Sequence, residues 1–323
     1  MTYTMFAENE ASAEPASSFD VGTDNPATFK SVLVGVDGTS TGRDAIALAA
    51  KLCDADGRLT LAHVVLVPQP VYGNFSSTGA GKQARGMLER EREAAGVSAE
   101  LTGMFAASVG SGLHQLAADT GADLLVVGSC SRRPIARLLR GDDTRAALSA
   151  AACPVAVAPP GYAERSKPLD TIGVAYDGSP ESEIALIAAR VLAARHRAVP
   201  RALTAVWPTT SGVWSWGRTP LGRAWGAMMI DAFEREASER LASLTGVDGR
   251  VTVGPPTDEL LAFADEVDLL VVGSRGHGPL RRLLLGGTSA YLARTAPCPL
   301  LVLPRGSRLR NRPGDPPRDD ALV

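Results

Sequence analysis

The sequence has few of the residues that mark secreted, membrane-spanning or metal-binding proteins. Its four cysteines stand singly with no CxxC spacing, which argues against a disulfide framework and predicts reduced thiols in a cytoplasmic protein. Its four histidines are scattered, and none lies in an HExxH or similar metal-binding spacing. Apolar runs are far shorter than the roughly 20 residues of a membrane-spanning helix, and the amino-terminal residues do not resemble a signal peptide.

The charge balance excludes a general attraction to nucleic acid or to anionic lipid. The chain has 33 basic and 35 acidic residues, for a net charge of -2, and arginine carries almost all of the positive charge because only four lysines occur. We therefore expect no nucleic-acid partner and no membrane partner, and any ligand must be recognised locally.

One segment of the chain occurs twice. Residues 122–160 and 267–304 align without a gap, and both contain the strand-like run DLLVVGS. Four matched pairs keep one constant spacing: Asp123 with Asp268, Gly128 with Gly273, Gly141 with Gly286, and Pro154 with Pro299. At 323 residues the chain is long enough for two domains, each with its own core, so the repeat predicts two related domains.

Each copy alternates β-branched apolar runs with segments of helical periodicity. This order predicts an α/β fold, with a mostly parallel sheet covered by helices on both faces. We place the first domain at residues 30–160 and the second at residues 169–304, separated by a polar, proline-containing linker at residues 161–168. The terminal segments 1–29 and 305–323 have little to bury, and we expect them to be disordered.

The second copy contains a glycine-rich loop suited to an anion. Gly273, Gly276 and Gly286 follow the buried run VDLLVV, with two and then nine residues between them. Backbone amides at the carboxyl end of a parallel strand, together with a helix amino terminus, attract phosphate. Further donors follow the first glycine or stand at the expected helix start: Arg275, His277, Arg281, Arg282, Gly287, Thr288 and Ser289. An ordinary tight turn between a strand and a helix is the alternative.

This spacing resembles the nucleotide-binding signature of the universal stress protein family. The resemblance extends over both copies and includes the Asp-Gly-Ser/Thr turn after the first strand of each copy. The turns are Asp37-Gly38-Thr39 and Asp177-Gly178-Ser179. The chain is therefore identified as a candidate tandem member of this family.

The resemblance implies two flavodoxin-like domains of the adenine nucleotide alpha hydrolase type, each with a five-stranded sheet. It also implies an adenine nucleotide at the second loop, ATP foremost, with or without Mg²⁺. Asp177 and Gly178 would then lie near the ribose, the phosphates or the metal, and backbone around Val206 near the adenine. Family members commonly pair through their last strands, so we expect an internal pseudo-dimer. A homodimer and an unidentified protein partner remain open.

Both loops depart from the signature, to different extents. Gly287 stands where the family has Ser or Thr, and the missing hydroxyl would weaken phosphate binding by roughly 1.5 to 3 kcal/mol, or about tenfold to a hundredfold. In the first copy Ser131 replaces the second glycine, and Asp142 and Asp143 occupy the helix start. Because carboxylates there repel polyphosphate, we expect no ATP in the first domain.

The remaining candidate residues have structural alternatives. Asp37 and Asp177 are suited to a ribose or a metal, and the alternative is that they cap the following helix or order the turn. Cys130 is either a redox-sensing thiol or an inert small residue. The tryptophan-rich insert at residues 207–225 is a lid over the adenine, a partner surface, or a loop folded onto its own domain.

No catalytic constellation is present. The sequence lacks a GxSxG elbow, a GxxxxGK[ST] loop and paired catalytic carboxylates. It therefore favours a nucleotide-binding regulator of the stress response. An interaction module in which both sites have decayed and a slow ATPase are the alternatives.

Overall fold

The computed structural model describes residues 29–67, 78–129, 153–165, 167–207, 220–274 and 287–304. Within residues 220–225 it describes the backbone alone. No helix in this described part of the chain is both long and apolar enough to cross a lipid bilayer.

The amino-terminal half alternates strands and helices from its first described residue. Its elements are β1 (Phe29–Gly35), α1 (Ser40–Leu52), β2 (Cys53–Leu66), α2 (Gly79–Ala95), β3 (Glu100–Ala106), α3 (Val109–Thr120), β4 (Leu124–Gly128) and β5 (Val155–Ala158). Side-chain oxygens of Thr39, Thr78 and Ser108 accept backbone N–H groups at the starts of the three helices. Gly96 and Gly121 end α2 and α3 in the left-handed conformation.

The carboxyl-terminal half repeats this order after one turn of helix. Its elements are α4 (Tyr162–Arg165), β6 (Thr171–Ala175), α5 (Pro180–His196), β7 (Val199–Val206), α6 (Pro220–Ala242), β8 (Asp248–Val253), α7 (Pro256–Ala264), β9 (Leu269–Gly273), α8 (Gly287–Thr295) and β10 (Leu300–Leu303).

All ten strands form one sheet, in the order β3-β2-β1-β4-β5-β10-β9-β6-β7-β8. Neighbouring strands within each half are parallel, so the prediction of two five-stranded parallel units is confirmed. The two halves meet where β5 and β10 pair antiparallel, with Ala156 opposite Leu301. This is the internal pairing of last strands that the family resemblance implied.

Each face of the sheet carries its own hydrophobic core. Successive residues of β1 point to opposite faces, so Val32 packs in one core and Leu33 in the other. Helices α1 and α5 contribute to the first core, and α3, α7 and α8 to the second. Strands β4 and β9 share the sequence LLVVG and are almost wholly buried. Their uninterrupted apolar runs follow from burial on both faces.

Two elements begin well before the runs that mark them in the sequence. Strand β2 begins at Cys53, six residues before the apolar run LTLAHVVLV, which predicts a strand from Leu59, and its register against β1 is irregular between Phe29 and Ser31. Helix α6 begins at Pro220, eleven residues before the run DAFEREASERLASL, which predicts a helix from Asp231. The last part of the tryptophan-rich insert is therefore helical, and proline at the first helical position is a recognised start signal.

The linker is held against the first domain by a buried carboxylate. Asp44 of α1 is only 3 % exposed, and its two oxygens accept the backbone N–H groups of Gly161 and Ala163, each at 2.8 Å. This places an acceptor at the start of α4, where helix amides lack partners. The Nζ of Lys51 lies 4.9 Å from the centre of the Tyr162 ring.

An arginine from the second domain also bonds the first domain directly, at the end of α1. Arg195, near the end of α5, donates from Nη1 to the carbonyl of Leu52 at 2.9 Å and to Oδ1 of Asp54 at 2.6 Å. Its Nη2 donates to the carbonyl of Cys53. These acceptors lie at the carboxyl end of α1, where unpaired carbonyls favour a cation. The Asp54 side chain is 12 % exposed, so the pair is largely shielded from water.

We expect Arg195→Met to lower the free energy of unfolding by about 1.5 to 3 kcal/mol, because it removes charged hydrogen bonds and leaves Asp54 without its cation. Urea denaturation followed by circular dichroism measures the change. Arg190→Met is the matched control, since Arg190 lies on the same helix and bonds Thr245 within its own domain. Equal urea midpoints for the two variants would contradict this role of Arg195.

Candidate functional site

A cleft of roughly 190 Å³ opens at the carboxyl edge of the second half of the sheet. It lies where β6, β7 and β9 end and where α8 begins. Its described lining consists of Ala175, Tyr176, Asp177, Ser179, Glu181, Ser182, Leu203, Ala205, Pro256, Leu260, Val272, Gly273, Thr288, Ser289 and Leu292. Strand β6 lies between β7 and β9. The chain runs from β6 outward through β7 and β8 and then returns to β9 on the other side of β6, so the strand order reverses at β6. Parallel α/β sheets bind ligands at such a switch point.

Helix α8 presents its amino terminus to this cleft. The helix begins at Gly287, which confirms the predicted helix start; Thr288 lines the cleft, and Ser289 is buried there. The first amides of a helix have no partners within it, and they carry the positive end of its dipole. Three of the predicted site residues are thus brought together at a position suited to an anion.

The turn after β6 is ordered by Asp177. Its Oδ1 accepts the backbone N–H of Ser179 at 3.0 Å, and Gly178 has a φ of 78°. Ser179 is the N-cap of α5 and accepts the N–H of Ser182. Asp37 forms the same turn with Thr39 in the first half. Both aspartates therefore order their turns, and because Asp177 also lines the cleft, its ligand role stays a prediction.

The Arg240 side chain of α6 packs across the turn formed by Asp177, Gly178 and Ser179. Its Nη1 donates to the carbonyl of Asp177 at 2.9 Å, and its Nη2 lies 2.6 Å from Oε1 of Glu236. A Cβ on Gly178 would stand 2.7 Å from Cδ of Arg240, so this glycine allows the arginine to pass as well as providing the positive φ. No local pattern in the sequence predicts this contact, because it joins residues 63 positions apart.

Tyr176 contributes a buried aromatic side chain to the cleft lining. Its hydroxyl donates to Oε1 of Glu183. Burial, then the hydrogen bond to Glu183 and the charge of that carboxylate, raise the pKa of Tyr176 to about 12. The phenol therefore stays neutral at physiological pH, and the cleft receives no negative charge from it.

Gly273, the first glycine of the predicted loop, is fixed by packing. A Cβ at this position would lie 2.5 Å from the carbonyl oxygen of Glu181 in the first turn of α5. In the first half, a Cβ on Gly128 would lie 2.3 Å from the carbonyl oxygen of Thr41. Both copies therefore need glycine where a helix meets the end of a strand. Gly273 also lines the cleft.

Val206 lies at the end of β7, as predicted, but it is not part of the described cleft lining, which Leu203 and Ala205 supply from this strand. Its carbonyl accepts the N–H of Gly254 at 3.0 Å. The remaining predicted residues of the second loop lie outside the described residues: Arg275, Gly276, His277, Arg281, Arg282 and Gly286. So do Cys130, Ser131, Asp142, Asp143, Trp214 and Trp216, and the side chain of Trp225 is not described.

Other titratable groups have structural surroundings. Within the described ranges, no three His, Cys, Asp or Glu side chains come together as a metal site. The Nδ1 of His63 lies 2.7 Å from the carbonyl oxygen of Val36, which ties β2 to the end of β1. Burial raises the pKa of the Cys153 and Cys298 thiols to about 12.

The fold and the cleft define a tandem α/β protein with an open cleft at the switch point of its second domain. Residues 28–159 and 168–304 each match the universal stress protein family. The chain belongs to this family and is a tandem member of it.

Two relatives and one solved structure illustrate the similarity. A universal stress protein of Mycolicibacterium smegmatis is 28% identical over 302 residues, which cover 86% of this chain and 98% of that protein. One of Thermus aquaticus is 31% identical over 138 residues, 41% of this chain and 97% of that protein. The crystal structure of a universal stress protein from Archaeoglobus fulgidus has a TM-score of 0.60 at 18% identity, and the match covers 86% of this chain and 99% of that one.

Sequence reasoning missed Tyr176 and Glu181 as cleft residues. Tyr176 directly precedes the Asp-Gly-Ser turn, at the carboxyl end of a strand where ligand contacts concentrate. Glu181 stands four residues after Asp177, and Thr41 stands four residues after Asp37. The two copies therefore differ at this position, with Thr41 in the first and Glu181 in the second, and this difference was the available sequence sign that Glu181 is distinctive.

We expect Gly273→Ala to lower the free energy of unfolding by about 1 to 3 kcal/mol, because the new methyl group would overlap backbone of α5. Gly287→Ala should change it by less than about 1 kcal/mol, since a Cβ there meets no atom within 4 Å. Chemical denaturation compares the two variants. A stability loss for Gly287→Ala as large as that for Gly273→Ala would refute the packing argument.

Cys153 and Cys298 should resist alkylation by iodoacetamide at pH 8 in the folded protein. The thiolate is the reactive form, and a pKa of about 12 leaves roughly one thiol in ten thousand ionised at that pH. Peptide mass spectrometry after timed alkylation measures the modification, with urea-unfolded protein as the control. Equal rates in the folded and unfolded proteins would show that burial does not protect these thiols.

Proposed function

We propose that the second domain binds one adenine nucleotide, ATP foremost, and that the protein acts as a regulatory binding protein of the stress response in the cytoplasm. The observation that carries this proposal is the cleft at the switch point. Four residues predicted from the sequence converge there: Asp177, Gly273, Thr288 and Ser289.

The start of α8 supports phosphate binding at one end of the cleft. Its unpaired amides and dipole favour an anion, and two hydroxyl-bearing residues, Thr288 and Ser289, stand in its first turn. Apolar side chains line the part of the cleft next to β7 and α7, among them Leu203 and Leu260. A ligand with an anionic end and a flat, weakly polar end suits this division.

We propose that the first domain binds no nucleotide. Asp142 and Asp143 place two carboxylates in the sequence where the second domain has Gly287 and Thr288. A carboxylate near a helix amino terminus satisfies the dipole and repels phosphate. Arg132 and Arg133 follow Ser131, and they leave the loop basic without the glycine of the signature.

The described cleft residues favour binding over catalysis. Its carboxylates, Asp177 and Glu181, both stand at the start of α5, and Asp177 is engaged in its own turn. Phosphoryl transfer needs a positioned nucleophile and concentrated positive charge around the phosphates. We therefore assign at most slow hydrolysis to this site.

A protein-interaction module is the second candidate function. Gly287 lacks the hydroxyl of the signature, and α6 exposes large apolar side chains, with Met228 57 % and Phe233 41 % accessible. Exposed apolar groups of this size occur on partner surfaces. In this case the second cleft would have lost its ligand as the first one did.

Restoring the hydroxyl at position 287 should strengthen nucleotide binding. We expect Gly287→Ser to raise the affinity for ATP about tenfold to a hundredfold, because a hydrogen bond to a charged phosphate contributes about 1.5 to 3 kcal/mol. The position has room for the side chain and no positive φ. Isothermal titration calorimetry with ATP, with and without Mg²⁺, measures the change.

Gly79→Ser is the matched control. Gly79 is also the first residue of a helix with open space around it, and it lies in the other domain. This variant should bind ATP as the wild type does, whereas Gly276→Asp should abolish binding by placing a carboxylate in the phosphate loop. Absence of heat with ATP, AMP and adenosine for both the wild type and Gly287→Ser would favour the interaction module. Phosphate release above the Gly276→Asp control would favour the slow ATPase.

A further inference from the structure

One turn at the edge of the second cleft is bonded by an arginine that is not itself part of the described cleft lining. The lining includes Asp177 and Ser179 of this turn, whereas Arg240 belongs to α6. The Nη1 of Arg240 donates to the carbonyl of Asp177 at 2.9 Å, and its Cδ would lie 2.7 Å from a Cβ on Gly178. Arg240 therefore contacts the cleft through the backbone of the turn.

The charge of Arg240 is paired within its own helix. Its Nη2 lies 2.6 Å from Oε1 of Glu236, one helical turn earlier. The donors of a guanidinium lie in one rigid plane, so the pairing of one nitrogen with Glu236 also fixes the direction of the other. What Arg240 supplies to the turn is therefore a directed hydrogen bond and close packing, since its charge is already paired.

The first domain has a side chain without a donor at the matching place. Met87 belongs to α2, which follows the second strand of its domain as α6 does. A Cβ on Gly38 would lie 2.9 Å from Cγ of Met87 and 3.2 Å from its Sδ. A thioether has no hydrogen to donate to a carbonyl. Asp37 nevertheless accepts the N–H of Thr39 at 3.0 Å, so this turn forms without an arginine and the donor is a feature of the second domain.

We propose that Arg240 is a positioning residue of the second cleft, which holds the turn at residues 177–179 in the conformation that receives the nucleotide. This inference rests on the proposed function, because it concerns the same site. Without the arginine, the Asp177 carbonyl loses this hydrogen bond and the turn gains alternative conformations. A ligand then binds only the fraction of molecules with the competent turn, and its apparent affinity falls by that fraction.

Arg240→Met tests this role by introducing the residue of the first domain. Methionine is long and flexible enough to keep packing against Gly178, and it cannot donate to Asp177. We expect the affinity of the full-length protein for ATP to fall about tenfold, which corresponds to a competent turn in about one molecule in ten. Isothermal titration calorimetry, at a temperature where every variant is folded, measures the change. Arg240→Lys keeps a charged donor and should bind ATP within about threefold of wild type.

Arg235→Met is the matched control. Arg235 is exposed on the same helix, and its substitution removes the same charge while leaving the bond from Arg240 to Asp177 in place. Its affinity for ATP should stay within about twofold of wild type, because exposed charges are screened. Equal losses in Arg235→Met and Arg240→Met would refute the positioning role, since the effect would then come from any charge on α6.

Hydrogen exchange measures the order of the turn itself. The N–H of Ser179 is bonded to Oδ1 of Asp177 at 3.0 Å, so its exchange rate reports how often the turn opens. Arg240→Met should speed this exchange about threefold or more and leave the amides of β6 unchanged. ATP should slow it again, because the bound nucleotide selects the same turn conformation. If Arg240→Met does not fold, Arg240→Gln, with a shorter and neutral side chain, takes its place in both measurements.

The outcomes separate this inference from the proposed function. Equal ATP affinities of the wild type and Arg240→Met would overturn the positioning role alone, even if the variant melts at a lower temperature. Unchanged exchange of the Ser179 amide would do the same. No binding of ATP, AMP or adenosine to the wild type would contradict both the positioning role and the proposed function.

Discussion

The antiparallel pairing of β5 with β10 is the interaction on which the rest of the molecule depends. Three residue pairs, including Val157 with Leu300, join two five-stranded parallel sheets into one. The pairing buries the last strand of each domain, which would otherwise present an open sheet edge. Asp44 and Arg195 secure the same joint from the helical layer, by binding the linker and the end of α1. The two domains are thus parts of a single layered structure.

This pairing also determines where ligands can bind. Because the halves run in opposite directions across the joint, their carboxyl edges lie on opposite sides of the sheet. Each domain therefore has its own switch point. A substitution in the loop of one domain does not touch the loop of the other. The first domain has Asp142 and Asp143 in its loop, and the second has Gly287 and Thr288 at the matching positions. Separate sites allowed the two loops to diverge in charge while the strands kept the same packing.

Charge near the start of α8 connects the structure to the proposed function. The helix terminus attracts an anion, and the hydroxyl-bearing residues Thr288 and Ser289 stand in its first turn. Tyr176 remains neutral because burial and Glu183 raise its pKa to about 12. A neutral phenol adds no negative charge beside the helix terminus, which suits the proposed binding of an anionic ligand.

The sequence by itself determined the repeat, the order of strands and helices, the Asp-Gly turns and the start of the last helix, because these depend on local periodicity and on residues close together in the chain. It also predicted Asp177, Thr288 and Ser289 as site residues, and these three line one cleft in the structure. Only the tertiary structure decided the register in which β5 and β10 pair, that Gly273 is required by packing against α5, and that Glu181 lines the cleft. These features depend on contacts between distant segments, and the identity of one residue does not reveal what packs against it.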